Sequence, residues 1–134
     1  MKILNNELLN ELTEQAIINP RLRMNYNLHD SPDSKSQRLF NALEPGTILP
    51  IHRHMNTSET YILLRGSLKI HQYTENHELK NTVELNLKNG VFGIDIQAGE
   101  WHTVEILESG TVIFEVKDGP YTPLNEENVL VGSR

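Results

Sequence analysis

Cysteine is absent from this 134-residue chain. That excludes disulfides and thiolate ligands, so any bound metal must rest on histidine and carboxylates. Long apolar runs are missing too, and none approaches the roughly 20 residues that a membrane-crossing helix needs. Basic residues are few, 12 Lys and Arg against 18 Asp and Glu, giving a formal net charge of -6. Apart from the Arg21/Arg23 pair they are scattered. Duplex nucleic acid and anionic membrane surfaces both require clustered cations, so neither is expected as a partner. Asn5, Asn6, Glu7, Asn10, Glu11 and Glu14 break up the N-terminal residues and oppose a signal-peptide apolar region, so a cytoplasmic location is expected.

Hydrophobic residues at 37% and charged residues at 22% are the balance of a folded domain rather than a disordered chain. At this length one core is expected. Residues 3–19 read as a helix, because Leu4, Leu8, Leu12 and Ala16 recur every four positions with Leu9 and Ile17 widening the stripe. Asn5 or Asn6 is a candidate cap, and Pro20 ends the run. The period then changes to two: Leu22, Met24, Tyr26 and Leu28 alternate with Arg21, Arg23, Asn25, Asn27 and His29. Residues 37–43 resume a strand pattern. Further short β-prone runs follow at 61–64, 68–73, 83–87, 91–96, 101–107 and 111–116, separated by turn residues such as Gly66, Gly90, Gly99 and Gly110. One helix followed by many short strands predicts an antiparallel sandwich or jelly roll. The expected division is an N-terminal helix over 1–20, one domain over 21–124 and a tail over 125–134.

His52 and His54 are two apart in an extended stretch, so their side chains leave one face with backbones about 7 Å apart. Glu59 opens the next strand, and His102 follows the turn at Gly99. An isolated H-x-H pair is more often two surface histidines. The spacing around this one is what distinguishes it. Gly46, five residues, His52, one residue, His54, four residues, Glu59, six residues and Gly66 match the first cupin motif, and Gly99, two residues and His102 match part of the second. The second motif departs from the pattern at Gln97, where a proline is usual, and at Ile106, where an asparagine is usual.

The chain also resembles the WbuC-like cupin-fold metalloproteins found with bacterial surface-polysaccharide genes. The resemblance lies in Arg21, Arg23, Asn25, Asn27 and His29, in Pro45-Gly46-Thr47, His52-Arg53-His54 and Gly99-Glu100-Trp101-His102, and in Phe114-Glu115-Val116-Lys117-Asp118-Gly119-Pro120-Tyr121. It implies an all-β cupin jelly-roll β-barrel with a short N-terminal helix. It further implies one divalent ion, zinc, iron, nickel or manganese, held by His52, His54, Glu59 and His102.

Three imidazoles and one carboxylate leave a divalent ion net positive with open positions, which suits a small oxygen-rich or anionic ligand, sugar-like or carboxylate-bearing. Arg21, Arg23, Arg38 and Arg65 are candidate clamps for it, with Tyr121 a further contact. Glu115 or His29 would move a proton if the protein is an isomerase or epimerase; an oxygenase is a narrower variant. The alternative is a non-catalytic binding or regulatory module. His71 and His77 are read as outside the site. The helix and edge strands suit a homodimer.

Overall fold

The computed structural model describes residues 1–130. Helix α1 (Asn6–Ile18) begins where Asn5 accepts a hydrogen bond from the Leu8 N–H at 3.1 Å, satisfying one amide that has no partner inside the helix. Pro20 then denies the chain a further helical amide. The apolar stripe is used as its period predicts: Leu12 and Ala16 are buried, with Leu8 and Leu9 beside them, against Phe40, Ala42 and Val112.

Eight strands follow: β1 (Arg23–Asn27), β2 (Ser36–Leu43), β3 (Glu59–Arg65), β4 (Ser67–Tyr73), β5 (Leu79–Asn86), β6 (Gly93–Ile96), β7 (Trp101–Ile106) and β8 (Thr111–Asp118). Each expected strand is present. They form a five-stranded sheet in the order β1-β2-β8-β3-β6 and a three-stranded sheet in the order β5-β4-β7, all pairs antiparallel. The two sheets share a core of Leu43, Tyr61, Leu63, Leu68, Ile70, Leu85, Ile96, Val104, Ile106 and Ile113. This is the jelly roll expected from the sequence, in an open form. Among the described residues neither sheet closes on itself as a barrel.

The five-stranded sheet is buried on both faces. Gln37, Leu39 and Leu43 of β2 are buried, and so are Phe40 and Ala42 between them, because the first set faces the interior and the second faces α1. The cross-strand register then sets the interior in rows: Asn27 opposite Leu39, Leu39 opposite Glu115, Glu115 opposite Tyr61. A second row places Gln37 opposite Lys117 and Lys117 opposite Glu59.

The segment carrying His52 adds to the outer edge of β7. His52 and His102 exchange both backbone hydrogen bonds, at 3.0 and 2.9 Å, and Gly99 N–H donates to His54 O at 2.7 Å. On its other side this segment is paired by residues 128–130: Arg53 N–H donates to Asn128 O, and Leu130 N–H to Ile51 O. So residues 128–130, within the expected tail, run alongside the histidine segment; residues 131–134 lie outside the described residues. Trp101 does not pack on the helix or stand at an open face. It is buried beneath the Arg53 guanidinium, 4.5 Å from its ring centroid, with the His77 ring 4.8 Å away.

Candidate metal centre

The exchanged hydrogen bonds place His52 and His102 directly opposite each other, so their side chains leave the same face. Strand alternation adds His54 to that face. The ring centroids lie 4.5 Å apart for His52 and His102, 5.2 Å for His52 and His54, and 6.4 Å for His54 and His102. Glu59 arrives from the other sheet as the first residue of β3, buried at 4% exposure. One ligand atom from each of His52, Glu59 and His102 falls within 4.8 Å of the others. His54 Nε2 stands 2.7 Å from Glu59 Oε1.

The orientation of these groups tests whether they suit a metal. The Nδ1 atom of His52 lies 2.8 Å from Pro50 O, and that of His102 lies 2.9 Å from Glu100 O. Each Nδ1 therefore carries the proton and donates it to a carbonyl, which turns the unprotonated Nε2 inward. His102 Nε2 and Glu59 Oε1 are both buried with no hydrogen-bond partner among the described residues. His54 Nε2 and His102 Nε2 approach Oε1 at 2.7 and 3.7 Å, so the three ligand atoms crowd one point. Glu59 Oε2, by contrast, accepts a hydrogen bond from the Tyr61 hydroxyl at 2.8 Å. Buried acceptors that converge without partners are costly unless a cation satisfies them.

Protonation fits the same purpose. Burial, reinforced by the neighbouring His102, pushes His52 down to about 4. Burial also lowers His102. Burial alone would raise Glu59, but the adjoining His54 and His102 and the Tyr61 hydroxyl outweigh it and hold the carboxyl at about 2. At neutral pH His52 and His102 are thus neutral imidazoles beside an ionised Glu59 carboxylate, the forms that coordinate metals. The donor set fits a divalent ion. Tyr61→Phe is expected to weaken metal affinity by roughly 10–100-fold without disturbing the fold, since it frees Glu59 from the group that orients it. Zinc titration with a competing chelator reads this, and an unchanged affinity would remove Tyr61 from the site.

The cluster opens into a cavity of about 360 Å³. Of the four arginines considered from sequence, the fold brings Arg23 to this cavity, its Nη1 donating to Ile48 O at 2.9 Å. Arg21 is exposed ahead of β1 and lines neither this cavity nor its neighbour. Arg38 is exposed on the helix side of β2. Arg65 is turned outward onto α1, donating to Asn10 Oδ1 at 2.7 Å and Asn6 Oδ1 at 2.9 Å, so its role is to hold the helix. Tyr121 lines the cavity mouth, half exposed. His71 is engaged elsewhere, by Glu105 and Thr82.

Glu115 forms part of the cavity wall and accepts a hydrogen bond from Asn41 Nδ2 at 3.1 Å. Burial, helped by the charge of Glu59, raises it to about 7 against the opposing effects of Asn41 and Lys117. His29 lies in an adjoining pocket, its Nδ1 tied to the backbone of Arg38 at 3.0–3.1 Å. Sequence reasoning overlooked Tyr61 and Lys117. Both were findable, since each lies two residues from a chosen carboxylate, Glu59 or Glu115, and so shares its face.

A raised carboxyl makes a pH prediction for the metal-free protein. Between the ordinary value of 4.5 and about 7 the folded state holds the proton more tightly than the unfolded chain. Stability is therefore lost as pH rises through that window, by about 3 kcal/mol at most. Glu115→Gln removes this dependence. Urea denaturation is expected to show the variant more stable than the parent at pH 8 and equal to it near pH 4; equality at both would refute the raised value.

The family described as a domain of unknown function (DUF6016) matches residues 4–85, more than half of the chain and including His52, His54 and Glu59. The chain belongs to this family. No curated protein matches it by sequence. Solved structures agree on the fold. KdgF from a Halomonas species superposes with a TM-score of 0.59 at 12% identity, over 78% of this chain and 85% of that one. The capsular polysaccharide assembling protein CapF from Staphylococcus aureus superposes with a TM-score of 0.61 at 20% identity, over 79% of this chain but 28% of CapF. The Cnp3 cupin domain of Schizosaccharomyces pombe gives 0.56 at 8% identity, over 72% of this chain and 64% of that one. The fold of this DUF6016 member is that of the cupins.

Proposed function

We propose that His52, His54, Glu59 and His102 hold one divalent metal ion, and that the cavity above it binds and transforms a small oxygen-rich acid of sugar-like character. The observation that carries this reading is the inward convergence of two buried acceptor atoms, His102 Nε2 and Glu59 Oε1, neither with a hydrogen-bond partner among the described residues, beside a His52 ring whose far nitrogen is tied to a backbone carbonyl. The ion would supply Lewis acidity and open positions for substrate oxygens. Arg23 and Lys117 also line the cavity and supply cationic donors for a carboxylate. Glu115 holds or releases a proton near neutral pH at the same wall, which suits proton transfer beside a polarised carbonyl, as in isomerisation or epimerisation. That feature favours an enzyme over a passive binding module. A role in bacterial surface-polysaccharide metabolism is supported by the WbuC-like motifs and by fold likeness to CapF.

The test is calorimetric titration of zinc- or manganese-loaded protein with citrate, a uronic acid and a neutral hexose. The acids are expected to bind at least ~10-fold more tightly than the hexose, since hydrogen bonds to charged groups each contribute about 1.5–3 kcal/mol. Arg23→Ala and Lys117→Ala should each weaken acid binding by ~10-fold or more. A hexose that binds as tightly as the acids would overturn the reading.

A further inference from the structure

A second pocket of about 420 Å³ adjoins the metal cavity and shares Asn25, Glu115, Lys117 and Tyr121 with it. The row that joins them is fixed by register: Tyr61 stands beside Glu115, Glu115 beside Leu39, and Leu39 beside Asn27 on β1. Each cavity falls within the usual range of small-molecule sites, roughly 300–1,000 Å³. A ligand confined to the metal cavity would leave the second one unused.

The two ends differ in charge. Arg23 belongs to the metal cavity alone, while Asp30 belongs to the second pocket alone, and Lys117 stands between them. An acid group is therefore drawn to the metal end, and a second negative charge is opposed at the Asp30 end. The outer pocket offers neutral polar groups instead. The Asn25 and Asn27 amides have no side-chain hydrogen bond among the described residues, and each carries both donors and an acceptor. Gln37, whose Nε2 donates to Ser34 O at 2.8 Å, fixes the 31–34 loop that walls the pocket. The half-exposed ring of Tyr121 adds an apolar face. Free amides around the rim with an aromatic plane beside them match a pyranose ring, which has hydroxyls at its edge and C–H groups on its faces.

We propose that these two pockets form one elongated site, in which the outer pocket takes the neutral sugar ring of an acidic disaccharide whose carboxylate end lies at the metal. This rests on the acid-binding reading of the metal cavity, and the two can fail separately. The experiment is calorimetric titration of metal-loaded protein with glucuronic and galacturonic acids and with two disaccharide acids that each pair one acidic ring with one neutral ring, cellobiouronic acid and galacturonosyl-rhamnose. At least one disaccharide acid is expected to bind ~10-fold or more tightly than its monosaccharide. Asn27→Ala should erase that advantage while leaving monosaccharide-acid affinity unchanged. Asn27→Trp, which fills the outer pocket, should do the same. If the monosaccharide acids bind and neither disaccharide gains, or if both Asn27 variants keep the gain, the outer pocket is not a sugar subsite. If no acid binds at all, the reading of the metal cavity fails and the extended site falls with it.

Discussion

His102→Ala is expected to abolish stoichiometric metal binding, weakening affinity by more than ~100-fold, because losing a direct ligand should exceed the effect of losing a supporting group. The argument is structural as well as chemical. His102 is 1% exposed, its backbone is locked opposite His52, and its Nδ1 is held by Glu100 O. No other side chain can swing into its place from that strand position, because the adjacent residues Trp101 and Thr103 face the other way. His52→Ala should behave alike. His71→Ala is the control, since that ring is bonded to Glu105 and Thr82. Elemental analysis of protein purified without chelator, with circular dichroism to confirm folding, decides the matter. Full metal content in the His52→Ala/His102→Ala double variant would remove the centre from this location.

Gly66→Ala is expected to cost about 2–5 kcal/mol, a large part of the stability of an ordinary domain. Gly66 connects β3 to β4 with φ of +78°, where a side chain costs roughly 1–2 kcal/mol. A Cβ there would also lie 2.7 Å from the Thr111 Cα, a backbone atom that cannot step aside, and overpacking adds roughly 1–3 kcal/mol. Gly90 separates the two effects. Its φ is +74° but a Cβ would meet nothing within 4 Å, so Gly90→Ala should show only the backbone cost. Urea midpoints of the two variants provide the comparison. Equal losses would mean that close approach to Thr111 does not explain the glycine.

This glycine shows why so much of the fold was legible. Apolar recurrence every four residues, period-two alternation and turn residues are local signals, and they located α1 and all eight strands. The histidine spacing was legible for the same reason: alternation puts His52 and His54 on one face wherever the chain is extended. The arginines were not. Arg38 follows Gln37, and alternation says they face opposite ways, but both faces of β2 are buried and nothing local marks which one borders the cavity. Arg65 follows Glu59, Tyr61 and Leu63 in step and should share their interior face. Between Leu63 and Arg65 the pairing with β8 slips from Ile113 to Val112, and that slip turns Arg65 out to the helix. Such a bulge is a property of two strands together and leaves no mark on either alone.

Trp101 gives the molecule an optical use. It is the sole tryptophan, so indole emission from this protein has one source and needs no unmixing. The indole precedes His102 in the chain, and the guanidinium above it belongs to the residue between His52 and His54. Arg53 in turn bonds Asn128 Oδ1 at 3.0 Å and Glu75 Oε2 at 3.2 Å. Any shift of the histidine segment on loading with an ion, or any loosening of residues 125–128, alters the field at the fluorophore. The native protein thus carries a built-in, label-free gauge of its own centre, readable in a cuvette.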